Sequence, residues 1–212
     1  MPGIANDTVE TFRLKVESFS AKYIADWDNW LGTDSPGRPA EMGRILRGWQ
    51  ACRPNRMRRD AASAAHQGPY LEDLLADAAP HVAALSAFDI AAPAPLDDAG
   101  FIAALDHLWP VFEQLSYHGK ARAGLAGAVG ISKSVMMASD GRVGPAFDRF
   151  VAKGLAVGKI DNAAQWRKAL AAAHADIKAF ERNNGISFAD AKPPKFAHLH
   201  NGRVYDMALG PR

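Results

Sequence analysis

The chain has 212 residues, of which 48% are hydrophobic, and carries 25 lysines and arginines against 23 acids, a formal net charge of +2. That hydrophobic share excludes disorder throughout and allows a sizeable core, in one large domain or two small ones. So small a net charge excludes a nucleic-acid or membrane partner read from the whole-chain field, which makes every charge argument local.

Val9, Phe12, Val16, Phe19, Tyr23, Trp27 and Trp30 recur at spacings of three and four. This predicts one long helix of about six turns, capped by Asp7 or Thr8 and stopped near Gly32. A second helix is expected from Pro39, a residue suited to the first helical position, with Met42, Ile45, Leu46 and Trp49 on one side and an end before Pro54. Residues 70–79 and 81–88 read as two short helical pieces separated or kinked at Pro80. Residues 91–95, Ala-Ala-Pro-Ala-Pro, form a stiff connector. It is a candidate junction between two lobes, although one helical domain over residues 1–212 is the preferred reading.

Asp97 and Asp98 then cap an amphipathic helix with Phe101, Leu105, Leu108, Phe112 and Leu115 in one stripe. A further helix is expected over about 161–183, carrying Trp166, Leu170, Ala173, Ile177 and Phe180 and ending at Asn184-Gly185. Residues 203–209 are a candidate closing helix. No sustained alternation of period two supports a strand, so the expected fold is all-α, an irregular multi-helix assembly.

The single Cys52 forms no internal disulfide, and the N-terminus shows no basic patch followed by an apolar signal core. A cytoplasmic location is therefore expected. No apolar run approaches the roughly 20 residues that span a bilayer, so no membrane partner is expected. No cofactor signature is complete, and none is expected. His198 and His200 share a face in an extended chain and stand near Asp206, but no second His or Cys cluster completes a metal site.

The segment 120–138 is the unusual one, with Gly124, Gly127 and Gly130 ahead of a helix expected to open near Ser132. A glycine-rich turn at a helix start offers backbone N–H groups to a phosphate. The alternative is a tight turn whose glycines permit close packing. Gly127-Ala-Val-Gly-Ile-Ser132-Lys133-Ser134 is similar to a P-loop, except that Ser132 stands where the glycine before the lysine belongs, and no β-branched strand precedes it.

The same residues resemble the helix-hairpin-helix DNA glycosylase superfamily, an all-α family. Leu125 to Ala138 looks like its phosphate-holding hairpin, and Phe147-Asp148-Arg149-Phe150-Val151 looks like its aspartate segment. The resemblance covers about residues 120–155. It implies DNA binding, with Lys133 as candidate amine nucleophile or phosphate contact and Asp148 as the carboxylate that stabilises positive charge on the sugar. The departures are definite: Lys133 lies one position beyond the family's register, Phe150 replaces the histidine after the aspartate, and the Lys133-to-Asp148 spacing is short. For Asp148 a helix cap, and for Lys133 a solvated side chain, are the structural alternatives.

Arg44, Arg47, Arg53, Arg56, Arg58 and Arg59 lie close together, with Asp60 the only acid between Arg44 and Glu72. Such a cluster grips phosphates bidentately, or forms a solvated helix end. The leading expectation is thus a nucleic-acid-binding protein whose phosphate contacts are Gly127, Gly130, Ser132, Lys133, Arg53, Arg56, Arg58 and Arg59. The alternatives are a non-catalytic helical interaction protein, its apolar stripes forming a core and a homodimer surface, and an enzyme acting on a small phosphorylated ligand through Ser132, Lys133 and Ser134.

Overall fold

The structure, a computed structural model, describes residues 3–63, 69–116 and 125–211. These residues form helices and no strand: α1 Val9–Glu17, α2 Ala21–Gly32, α3 Arg38–Gly48, α4 Leu71–Ala84, α5 Ala99–Glu113, α6 Ala128–Ala138, α7 Arg149–Gly154, α8 Ala163–Asn184, α9 Phe188–Ala191 and α10 Asn201–Leu209. The fold is all-α, as the periodicity predicts. Among the described residues no helix is long and apolar enough to cross a membrane.

The first apolar stripe is broken into two helices where a single one was expected. The Thr8 side chain caps α1 by accepting the amide of Thr11. At the break the Ser18 hydroxyl donates to the Lys15 carbonyl, Phe19 turns inward to 5% exposure, and the amide of Ser20 donates to the carbonyl of Pro211. The far end of the chain thus takes a donor that a continuous helix would have used internally.

Pro80 also behaves differently from the expectation, since α4 runs through it without interruption. Pro80 lies on the exposed side of that helix, as does Ala76, whose carbonyl loses its usual donor there and faces water instead. Helices α5 and α8 follow the sequence closely. Asp98 caps α5 by accepting the amides of Gly100 and Phe101, and Asn162 caps α8, which ends at Gly185 in the left-handed conformation at φ +64°.

Helix α4 packs on α5, and α5 packs in turn on α6 and α8. On the other side α1 packs on α10, while α3 touches α2, α4 and α6. The apolar side chains of these helices form one cluster, including Phe12, Trp27, Trp30, Phe112, Trp166 and Phe180. The candidate closing helix near 203 is present as α10, but it is an interior element: every residue from Gly202 to Ala208 is buried. Its entry depends on glycine. A Cβ on Gly202 would stand 2.7 Å from the Gly141 carbonyl oxygen, and one on Gly144 would stand 2.6 Å from the Gly202 oxygen, so both chains approach at backbone distance.

Candidate functional site

Helix α6 opens at Ala128, four residues before the expected Ser132, with Gly127 as its N-cap. This corrects the reading of the glycine segment. Ser132 lies inside the helix, where its hydroxyl donates to the Ala128 carbonyl at 2.6 Å. Gly130 is buried, and an added Cβ would meet the Cys52 Cβ at 2.9 Å and the Ala51 oxygen at 3.3 Å. Its lack of a side chain permits close packing on the segment after α3, the alternative that the sequence left open. Gly127 is exposed and faces open space. Gly124, with the rest of 117–124, lies outside the described residues.

Lys133 is only 7% exposed, because α6 is enclosed by α3, α4 and α5. Its amine lies 3.9 Å from Asp148 Oδ2, 5.3 Å from the centre of the Trp49 ring and 5.8 Å from that of Tyr23. The solvated alternative for this lysine is thereby excluded. Asp148 fills two roles, since Oδ1 caps α7 by accepting the amides of Phe150 and Val151 while Oδ2 faces Lys133.

The residues just before Asp148 are tied down from two directions. The Ser132 Oγ accepts the amide of Phe147 at 2.9 Å, and Asp206 Oδ1 accepts the amide of Ala146 at 3.1 Å. The other oxygen of Asp206 accepts from Arg203 Nη1 at 2.6 Å. Arg203 is itself enclosed by Trp27 and Phe19, 4.6 and 4.9 Å from their ring centres, and donates to the Tyr23 carbonyl. Burial pulls the Arg203 guanidinium below its ordinary pKa and pushes the Asp206 carboxyl above its own, each opposed by the charge of the other.

Trp49 links this buried group to the surface. Its ring faces Lys133, and its Nε1 donates to Asp26 Oδ2 at 2.8 Å. The second oxygen of Asp26 accepts from Arg44 at 2.8 Å. Arg44 also pairs with Glu41, and these two bonds hold its guanidinium well above the usual range. A path of contacts therefore runs Asp148, Lys133, Trp49, Asp26, Arg44 from the interior to the solvent.

Arg44 opens onto a depression of about 510 Å³ that is also lined by Arg47, Arg56 and Arg59 and floored in part by Gly43 and Leu71. Asp60 is the one acid in its lining. The structure leaves Arg53 and Arg58 out of that lining. Arg58 pairs with Asp73 and stacks on the Tyr70 ring, and Arg53 is exposed. Lys133, Asp148, Gly127, Gly130 and Ser132 do not line the depression either. No family model, curated protein or solved structure matches the chain.

His198 and His200 are both exposed, and among the described residues no three His, Cys, Asp or Glu side chains gather as a metal site requires. Sequence reasoning missed Asp26 and the pairing of Arg203 with Asp206, weighing Asp206 only beside the two histidines. That pairing had a legible signal, a cation and an acid three apart within the apolar run Val204, Tyr205, Met207 and Ala208, which places both on one buried helix face.

Proposed function

We propose that this protein binds nucleic acid through the arginine-lined depression beside α3. One observation carries the reading: Arg44, Arg47, Arg56 and Arg59 converge on a single concavity with one acid in its lining. Guanidinium groups so placed grip phosphate oxygens in pairs, and Arg47 has no carboxylate within ion-pairing distance among the described residues. The resemblance of 125–151 to helix-hairpin-helix DNA glycosylases points to the same ligand.

The test is fluorescence anisotropy with labelled single-stranded and duplex DNA across a salt series. Replacing Arg47, Arg56 and Arg59 by Ala is expected to weaken binding at least tenfold and to flatten the salt dependence, each lost phosphate contact removing about 0.7–0.9 from the log–log slope. Absence of binding by the wild type at low salt ends the proposal.

A second reading is favoured by the 3.9 Å approach of Lys133 and Asp148. It makes the pair an altered glycosylase-like site acting on abasic DNA. The Lys133 amine condenses with the sugar aldehyde, releasing water, and Asp148 stabilises the cationic imine. Borohydride reduces that imine to a stable protein–DNA adduct, expected with wild type and absent in Lys133→Gln. If wild type gives no adduct, the pair serves only to hold α7 to α6.

A further inference from the structure

Phe150, at 43% exposure, is the one exposed phenylalanine, tyrosine or tryptophan among the described residues. It follows Asp148 by two positions, and its amide donates to Asp148 Oδ1 at 2.9 Å, so the ring's base is tied to the carboxylate that faces Lys133. Val151, the next residue, is fully buried and anchors α7 with Phe150 turned outward. The Arg149 guanidinium lies 4.7 Å from the centre of the Phe150 ring and stacks on it. Lys153 stands one turn further along the same helix and is exposed. Arg149 and Lys153 carry no ion pair among the described residues, whereas Lys159 pairs with Asp161 and Asp148 directly precedes Arg149.

An exposed ring, a guanidinium stacked on it and a lysine one turn further on match what single-stranded nucleic acid uses. Bases stack on aromatic and guanidinium planes, while cations follow the backbone. A paired base inside a duplex has both faces covered by its neighbours, so such a platform favours an unpaired one. We infer that Arg149 and Phe150 form a stacking platform for an unpaired base, with Lys153 on the adjoining phosphate, which makes single-stranded or locally unpaired nucleic acid the substrate class. This rests on the nucleic-acid reading above and adds a contact surface distinct from the arginine depression.

The experiment compares wild type, Phe150→Ala and Phe150→Trp by anisotropy with a labelled single strand and with the same sequence as a duplex. Phe150 is at the surface, so the variants keep the fold, and circular dichroism checks this. Phe150→Ala is expected to weaken single-strand binding about tenfold and duplex binding by less than about twofold, with Phe150→Trp restoring the single-strand affinity. The salt slope of Phe150→Ala should match wild type, since stacking releases no counterions. Binding by wild type with no loss in Phe150→Ala overturns the platform and leaves the nucleic-acid proposal standing, as does an equal loss on both forms of DNA. Failure of wild type to bind either form overturns both.

Discussion

The Ser132 hydroxyl accepts the amide of Phe147 across 15 positions of sequence, and that bond holds the residue before Asp148 against α6. Ser132→Ala would leave a buried amide without an acceptor, an expected loss of about 1–3 kcal/mol in urea denaturation. Ser132→Thr keeps the oxygen and should lose less. Ser134 provides the control: its hydroxyl donates to the Gly130 carbonyl within the same helix, so Ser134→Ala should change stability by under about 0.5 kcal/mol. Equal losses in the two alanine variants would show that Ser132 matters for packing alone.

Arg203 and Asp206 form the second tether. Both are removed from solvent, and removing one member of such a pair leaves a buried uncompensated charge, expected to lose about 3–5 kcal/mol. Asp206→Ala should reach that range, since it also strips the acceptor from Ala146. Replacing the pair together, as Arg203→Met with Asp206→Leu, removes both charges, and the flat Met chain can occupy the slot between Trp27 and Phe19. The double variant is expected to be more stable than Asp206→Ala in chemical denaturation. Losses that simply add would mean the two residues act independently.

Much of this architecture was legible in the chain because helices announce themselves through apolar spacing and caps. Thr8, Asp98 and Gly185 each mark an end that the structure keeps. What the sequence concealed was decided by distant partners. The break at Ser18 to Ser20 involves the Pro211 carbonyl, and Gly130, inside α6, packs against Cys52, 78 positions away in the chain. For the candidate site, Lys133 and Asp148 stand out singly in the sequence, but their 3.9 Å approach exists only once the chain before α7 has packed on α6. Asp26 carried no local signal, because its function as a relay between Trp49 and Arg44 exists only once α2 and α3 have packed.

Gly127 and Gly130 make a paired prediction, because their surroundings are opposite. A methyl group at Gly130 must push aside the Cys52 Cβ, and such overpacking costs about 1–3 kcal/mol, which exceeds the ~1 kcal/mol that Ala gains over Gly in a helix. Gly130→Ala is therefore expected to be destabilising. Gly127→Ser fills open space at the N-cap and supplies an acceptor to the first turn of α6, for an expected gain of a few tenths of a kcal/mol. Thermal unfolding of the two variants reads both signs, and a gain in Gly130→Ala would contradict the packing described here.

The Cys52 thiol provides a kinetic probe of the same contact. Burial pushes its pKa from 9.0 up to about 12, against the opposing charge of Lys133. The reactive thiolate is therefore scarce at pH 8, by about a thousandfold relative to a thiol at 9.0. Labelling by a disulfide reagent at pH 8 is expected to be at least about a hundredfold slower in the native protein than in urea, where the ordinary value returns. Because a raised pKa means the proton is held more tightly, the native rate should climb as pH rises toward 12. Lys133→Met removes the one charge that favours the thiolate, so it should slow native labelling further at every pH, provided the fold is kept. Faster labelling in that variant would show instead that the lysine seals α6 against the segment carrying Cys52, and that its loss opens the contact.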